Sequence, residues 1–251
     1  MNPIAFKIGS IEVAWYGVLI AIGVFAAIIF AQRISKEDPN LYEDVVVDFA
    51  IFGVPIGIVG ARLYYVIFEW EYYSQNPSKI FAIREGGLAI YGGIIAGLIV
   101  AIVFCKIKKI SFWSFTDALA PGVVLAQGIG RWGNYINQEA HGGPTNLPWG
   151  IEIDGVKVHP TFLYESLWDV AIFLFLYLYL VKHKKFKGQV FVAYMILYGI
   201  GRCFIESLRT DSLYIGPLRV SQIVSIVAVA LGIILYFVLQ KKTSTDQNPL
   251  K

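Results

Sequence analysis

Charged residues are scarce in this sequence of 251 residues, since Asp, Glu, Lys and Arg make up 16% of it, against about 25% in an average soluble domain. Its two cysteines lie far apart, which excludes a disulfide scaffold and provides no zinc or redox motif. The three histidines have no metal-ligand spacing. The sequence therefore predicts no metal and no cofactor, and the net charge of +3 gives no indication of a nucleic-acid partner.

Apolar residues dominate the composition, because 57% of the chain is Ala, Val, Ile, Leu, Met, Phe, Trp, Tyr or Cys. A transmembrane helix needs about 20 mainly apolar residues, and seven runs approach that length: 13–31, 45–67, 88–104, 115–129, 162–181, 190–204 and 220–239. The fourth run is short and is compatible with a partly re-entrant helix. A soluble helix bundle is disfavoured by runs this long and evenly spaced. We therefore expect an all-α polytopic membrane protein with about seven transmembrane helices.

The distribution of basic residues predicts the orientation of these helices, because Lys and Arg concentrate in cytoplasmic loops. With seven spans, twelve of the 21 basic residues fall on one side: Arg33, Lys36, Lys106, Lys108, Lys109, Lys182, Lys184, Lys185, Lys187, Lys241, Lys242 and Lys251. The N-terminus is then outside and the C-terminus cytoplasmic. The other nine include six arginines, and the planar guanidinium group binds phosphate through two hydrogen bonds. This split indicates anionic-headgroup chemistry in the outer half of the membrane.

The chain is expected to form one membrane domain over residues 1–240, followed by a disordered cytoplasmic tail at 241–251. Residues 130–160, between the fourth and fifth helices, are rich in Gly, Pro and Asn and are expected to fold as a small extracytoplasmic cap. Within this cap, residues 149–158 alternate around Asp154-Gly155, which is a hairpin signal.

The densest polar segment spans residues 128–143, where the fourth helix meets the outer surface. Its glycines allow close approach of a ligand to the backbone, and Arg131, Asn134 and Asn137 can donate hydrogen bonds to phosphate oxygens or glycerol hydroxyls. The alternative is an interfacial loop with an arginine that reaches toward the headgroups. Spacing alone does not decide between the two interpretations.

Ionisable residues also occur inside the predicted helices, where they are costly and usually face a partner or a pathway. Glu165 and Asp169 are four residues apart and are expected to pair with an arginine across the bundle. Asp117 is either a helix cap or a buried counter-ion. One stripe of the sixth helix follows i, i+4, i+8 and i+11, which suits phosphate binding or a structural Arg–Glu pair: Tyr198, Arg202, Glu206 and Arg209.

Five segments together resemble the bacterial phosphatidylglycerol–prolipoprotein diacylglyceryl transferase family. Residues 130–142 read GRWGNYINQEAHG, which is similar to the signature of that family. Four further segments are similar to family segments in the same order: Trp15-Tyr16-Gly17, 86–93, 159–165, and Arg202 with Glu206 and Arg209. The resemblance covers essentially the whole chain.

The resemblance implies that the protein moves the diacylglyceryl group of phosphatidylglycerol to the thiol of a prolipoprotein lipobox cysteine, forming a thioether and releasing glycerol phosphate. The implied partners are phosphatidylglycerol, the lipobox segment and the lipids of the bacterial cytoplasmic membrane. Arg131 and Arg202 would clamp the headgroup. Candidate catalytic residues are Arg131, Arg202, Tyr91 and Glu206, and candidate substrate-binding residues are Arg131, Asn134, Asn137, Glu139, Gly142, Tyr16, Arg209 and Tyr198.

Tyr91 departs from the family pattern, since many relatives have histidine there and that histidine has been proposed as the base for the thiol. Tyrosine ordinarily ionises near a pH of about 10 and a thiol near about 8.5, so a phenol is a poor base for a thiol. A strict histidine-base mechanism therefore does not transfer to this chain. Glu139, Glu206 and His141 are alternative proton acceptors.

Two other functional classes compete with a lipid-using transferase. A channel or transporter for an anionic solute would distribute charged residues through the membrane to both faces, whereas here they crowd the outer half. A structural lipid-binding protein would not need a glycine-rich segment that carries an arginine.

Overall fold

The computed structural model describes residues 2–83 and 86–246, most of which are α-helical. Six helices in this part of the chain are long and apolar enough to cross a membrane: Trp15–Glu37, Val45–Phe68, Ile90–Lys108, Thr161–His183, Gln189–Glu206 and Val220–Ser244. This finding confirms the predicted class of all-α polytopic membrane protein.

In the described part of the chain, short β-hairpins lie before the first helix and in two of the connections between helices. The helices are α1 Trp15–Glu37, α2 Val45–Phe68, α3 Trp70–Gln75, α4 Ile90–Lys108, α5 Phe112–Ile136, α6 Thr161–Leu174, α7 Val181–His183, α8 Gln189–Glu206 and α9 Val220–Asp246. A 3₁₀ turn covers Pro77–Phe81, and a π-helical segment, Phe175–Leu180, joins α6 to α7. The strands are β1 Ile4–Ile8, β2 Ile11–Ala14, β3 Ile151–Ile153, β4 Val156–Val158, β5 Tyr214–Ile215 and β6 Leu218–Arg219.

The fourth predicted span corresponds to α5, which differs from the prediction. It is one continuous helix of 25 residues, whereas the apolar run predicted only residues 115–129. The run ends early because polar residues occupy the last turns of α5, among them Arg131 and Asn134. For the same reason α5 is not among the six most apolar helices, so the count of seven spans stays a prediction.

The predicted Asp-Gly hairpin is confirmed, because β3 pairs antiparallel with β4 around Asp154 and Gly155. Both residues have positive φ, 50° and 75°, as a tight two-residue hairpin turn requires. Two further hairpins, β1 with β2 and β5 with β6, were not predicted. Each turns at a glycine with positive φ, Gly9 and Gly216.

The described chain divides into two compact units, and the single membrane domain expected from the sequence stays a prediction. The first contains residues up to Ile34 and from Thr116 onward, and its core lies between α5, the segment after α6, and α8, where Val124, Leu176 and Val190 are fully buried. The second unit, Ser35–Phe115, contains α2, α3 and α4.

In the second unit, α2 and α4 approach closely at glycines. A Cβ atom on Gly60 would lie 2.9 Å from the carbonyl oxygen of Gly92, so no larger residue fits without moving a backbone. Arg62, two residues after Gly60, is buried. Its Nε, Nη1 and Nη2 atoms donate to backbone carbonyl oxygens between α3 and α4, at 2.6–2.9 Å: Ile80, Gly86, Gly87 and Lys79. Arg62 therefore connects residues 79–80 and 86–87 to α2.

The C-terminal helix extends further than the apolar run that predicted it. Helix α9 continues to Asp246, so residues 241–246, which the sequence assigned to a disordered tail, are helical. Residues 247–251 lie outside the described part of the chain, and the disorder expected there stays a prediction.

Candidate active site

The candidate site lies in the first unit, where the ends of three helices bring charged side chains together. Arg131 is near the end of α5, Glu165 is in the second turn of α6, and Arg202 and Glu206 are in the last turns of α8. Arg209 follows α8 directly. We call these five residues the arginine cluster.

Glu165 is the centre of the arginine cluster. Its Oε2 lies 2.6 Å from Nε of Arg131, and its Oε1 lies 2.5 Å from Nη1 of Arg202. The Nη1 of Arg209 is 3.8 Å from the same Oε1. Because Glu165 is only 5% exposed, solvent screens these charges weakly. The prediction that Glu165 pairs with an arginine across the bundle is confirmed.

Glu206 forms a second ion pair with Arg202. Its Oε2 lies 2.6 Å from Nη2 of Arg202, and its Oε1 accepts a hydrogen bond of 2.7 Å from the Ser212 hydroxyl. The guanidinium of Arg219 donates to the backbone carbonyl of Glu206. Arg202 is thus fixed between two carboxylates, and its guanidinium plane is oriented before any substrate arrives.

Arg209 closes the exposed edge of the arginine cluster. Its Nε and Nη2 donate to the two carboxylate oxygens of Asp211 at 2.9 and 2.7 Å. Partial burial alone would raise the pKa of the Asp211 carboxyl, but the hydrogen bonds and positive charge of Arg209 outweigh it and lower that pKa from its ordinary value. Asp211 is therefore ionised at neutral pH and holds Arg209 in place.

The residues of the predicted stripe on α8 meet the end of α5. Tyr198 accepts a hydrogen bond of 3.3 Å on its hydroxyl from Nη2 of Arg131. Arg202, Glu206 and Arg209 lie at successive turns beyond it, as described above. The stripe thus contacts α5 and α6 through one face.

The polar segment after α5 is organised by Glu139. Its Oε1 accepts hydrogen bonds from the side-chain amides of Asn134 at 2.9 Å and Asn137 at 3.3 Å. Gly142 lies farther along, where its N–H donates to the carbonyl of His159 at 2.9 Å, and it forms a β-bridge with Arg209. A Cβ atom on Gly142 would lie 2.6 Å from Cβ of His159, so only glycine allows this approach.

Tyr16 and Tyr91, the two predicted aromatic site residues, fall in different units. Tyr16 begins α1, and its ring packs against Gly133 so closely that a Cβ atom there would clash with it. Tyr91 begins α4 in the second unit, where its ring centroid lies 6.5 Å from that of Tyr64. The role of Tyr91 therefore stays a prediction.

Three residues of the site were missed as site residues by the sequence analysis. Glu165 was expected to form an ion pair but not to bridge two arginines. Arg219 was counted only among the six arginines assigned to the outer half of the membrane, and Ser212 was not considered. The position of Glu165 inside an otherwise apolar helix was the available signal. Asp169, also expected to pair, is 2% exposed, and its Oδ2 accepts no hydrogen bond from the described residues.

The chemistry available here is recognition of an anion. Three guanidinium groups within 4 Å of one carboxylate present several N–H donors to a small region, and such donors bind phosphate or carboxylate in two-pronged geometry. Among the described residues, no group of three or more His, Cys, Asp or Glu side chains is placed to hold a metal ion. Fold and site together define an integral membrane protein with a buried cluster of arginine and glutamate side chains.

Comparison with known proteins identifies the family. The sequence profile of the prolipoprotein diacylglyceryl transferases matches residues 3–238. A phosphatidylglycerol–prolipoprotein diacylglyceryl transferase of Finegoldia magna is 54% identical over 96% of this chain and 97% of its own length. Those of Clostridioides difficile and Bacillus mycoides are 52% and 47% identical, over 98% and 100% of this chain and 98% and 97% of their own lengths.

The chain therefore belongs to the prolipoprotein diacylglyceryl transferase family, and the resemblance carried by its motifs is confirmed. It is an enzyme, a transferase that acts on prolipoproteins in a membrane.

Proposed function

We propose that Arg131 and Arg202 form the phosphate clamp for phosphatidylglycerol, the diacylglyceryl donor named for the relatives. The observation that supports this most directly is that both guanidinium groups converge on one carboxylate, at 2.6 and 2.5 Å. A phosphodiester carries the same single negative charge and also presents two oxygens to such donors. The clamp is therefore sized for one small anion.

The reaction is a displacement at the carbon of the diacylglyceryl group that is bonded to the phosphate oxygen. The lipobox thiol loses its proton, its sulfur bonds to that carbon, and the carbon–oxygen bond breaks, so that its electron pair leaves with the phosphate oxygen of glycerol phosphate. Charge on the phosphate grows as this bond breaks. Fixed cations stabilise that charge more in the transition state than in the ground state, which is the catalytic task of Arg131 and Arg202.

The remaining candidates have supporting roles in this proposal. Glu206 orients Arg202, and Tyr198 orients Arg131 through its hydroxyl. Arg209, next to the clamp, adds positive charge. The substrate-binding wall consists of residues along α1 and the segment after α5: Tyr16, Asn134, Asn137, Glu139 and Gly142.

The proposal also includes the membrane topology. Helix α5 has 25 residues, about 37 Å at 1.5 Å per residue, which exceeds the hydrocarbon core of about 30 Å. Counting α5 as a span gives seven spans, an outer N-terminus and a cytoplasmic C-terminus. Residues 137–160, which follow α5, then form an extracytoplasmic cap that begins later than the sequence predicted, and the site faces the outer half of the bacterial inner membrane.

The clamp is tested by replacing Arg131 and Arg202 separately with alanine. Each change removes charge-assisted hydrogen bonds in the transition state, and loss of one such donor costs about 3 kcal/mol, or roughly 100-fold in rate. Lysine should rescue poorly because it lacks the planar fork. Turnover is measured with labelled phosphatidylglycerol and a lipobox peptide.

Arg33→Ala is the matched control, since this arginine near the end of α1 lies outside the arginine cluster. It should transfer at the wild-type rate. Normal turnover in Arg131→Ala or Arg202→Ala would remove that arginine from the clamp.

A further inference from the structure

Both guanidinium groups of the clamp are already engaged by a side chain of the protein. Oε2 of Glu165 forms an ion pair with Nε of Arg131, and Oε1 of Glu165 accepts a hydrogen bond from Nη1 of Arg202. These atoms face the centre of the arginine cluster, where a phosphate would meet both arginines. A phosphate cannot occupy the same position between the two guanidinium groups while the Glu165 carboxylate is there.

The charges of the arginine cluster also indicate that an incoming phosphate must replace a carboxylate. Arg131, Arg202 and Arg209 contribute three positive charges, which Glu165, Glu206 and the Asp211 bonded to Arg209 already balance with three negative ones. Glu206 is additionally fixed by Ser212, whereas the ion pairs of the Glu165 carboxylate among the described residues are all with arginines. Glu165 is therefore the carboxylate that can leave the clamp without breaking bonds other than the two ion pairs.

We propose that Glu165 is an internal anion that holds Arg131 and Arg202 in position, is displaced by the phosphate of phosphatidylglycerol, and returns as glycerol phosphate leaves. Glu165 is thus a positioning residue that sets lipid affinity and product release. The inference rests on the proposed function of the clamp.

Arg209 provides the destination for the displaced carboxylate. Its Nε and Nη2 are bonded to Asp211, but its Nη1 is directed to Glu165 and lies 3.8 Å from Oε1. A side-chain rotation that shortens this separation keeps the Glu165 charge paired while the clamp is occupied. A buried carboxylate with no partner would be far more costly, so this alternative partner makes displacement feasible.

The test is Glu165→Gln, which keeps the size of the side chain and removes the competing charge. Short-chain phosphatidylglycerol is titrated into the full-length protein in phosphatidylcholine nanodiscs. We expect its Kd to fall about 10-fold, because the lipid no longer displaces an anion. KM should fall as well. The inhibition constant of glycerol phosphate should fall to a similar degree, because this product also no longer competes with Glu165. Glycerol phosphate then leaves more slowly, so kcat should fall too.

A merely structural role for Glu165 predicts the opposite pattern. Loss of a structural ion pair would weaken lipid binding and raise KM. An unchanged or higher Kd in Glu165→Gln overturns the inference. Glu152→Gln, a change of an exposed acid on β3, is the matched control and should leave Kd and kcat within about twofold of wild type.

Removing one partner of a buried ion pair can destabilise the fold, so the stabilisation by ligand is measured as well. A ligand stabilises the state that it binds in proportion to the logarithm of its affinity, so saturating phosphatidylglycerol should raise Tm more in Glu165→Gln than in wild type. If Glu165→Gln does not fold, Glu165→Asp serves instead. Its shorter side chain cannot span both arginines, and we expect a Kd about threefold lower than wild type; an equal or higher value overturns the inference.

Arg131→Ala separates this inference from the proposed clamp. If Arg131→Ala binds phosphatidylglycerol with wild-type affinity, the proposed clamp itself is wrong. If Arg131→Ala loses binding while the Glu165 variants bind no more tightly than wild type, the clamp stands and only the internal anion is wrong.

Discussion

At the scale of single residues, the candidate acceptors of the thiol proton differ in how their side chains are engaged. Of the three alternatives to Tyr91, Glu206 is engaged by Arg202 and Ser212, and Glu139 by two asparagine amides. His141 differs from them. Its Nδ1 lies 3.0 Å from the carbonyl oxygen of Gly142, and because a carbonyl only accepts, Nδ1 carries the hydrogen. In the neutral ring, Nε2 is then the acceptor, so His141 has the chemistry of a base.

Tyr91→Phe tests whether the phenol is an obligatory base. We expect a loss of activity of about 10-fold, the effect of one missing hydrogen bond, with Tyr91→His remaining active. Transfer to a lipobox peptide is measured alongside phosphatidylglycerol binding. Complete inactivity of Tyr91→Phe, in a protein that still binds the lipid, would show that Tyr91 is the essential acid–base group.

At the scale of elements, the start of α8 is held by a side chain from another helix. Asp117, on α5 and fully buried, accepts hydrogen bonds from the backbone N–H groups of Gly188 at 2.9 Å and Phe191 at 3.0 Å. The first N–H groups of a helix have no partner within it. Lys184 lies 3.5 Å from the same carboxylate, so both predicted alternatives, helix cap and counter-ion, apply to Asp117.

Replacing Asp117 with alanine should lower the free energy of unfolding by about 2 kcal/mol, because two buried N–H donors lose their acceptor. Asn keeps one acceptor oxygen, so Asp117→Asn should fall between alanine and wild type. Thermal unfolding in detergent measures both. A Tm for Asp117→Ala equal to that of wild type would show that water or backbone groups satisfy these donors.

At the scale of the whole molecule, the proposed topology is based on charge placement. The basic residues between α4 and α5, and those between α7 and α8, belong to connections that the positive-inside rule assigns to the cytoplasm. They consist mainly of lysines, whose compact ammonium groups are strongly hydrated. An odd number of spans brings these connections to the same side as the C-terminus.

Reporter fusions at Lys109 and Lys185 test this arrangement. Both should report a cytoplasmic location, because the basic connections resist translocation. Fusions at Asn146, in the predicted cap, should report the opposite side. An extracytoplasmic signal at either lysine would contradict the seven-span arrangement.

The sequence alone determined the features that depend on local pattern. Apolar runs predicted every long helix, because burial in a bilayer demands such runs whatever the helix packs against. Asp154-Gly155 predicted its hairpin because few other residues adopt positive φ readily. The spacing of Tyr198, Arg202 and Glu206 predicted a common helix face because that depends only on helical period.

Tertiary structure decided which side chains meet. Glu165 contacts Arg131, on α5, and Arg202, on α8, and no spacing along the chain encodes contacts between three helices. Arg62 pairs with backbone carbonyls, which have no sequence signal because every residue has one. Tertiary contacts also decided the length of α5. The polar side chains of its last turns pair with Glu165, Glu139 and Tyr198, and these pairs stabilise the helix beyond the apolar run.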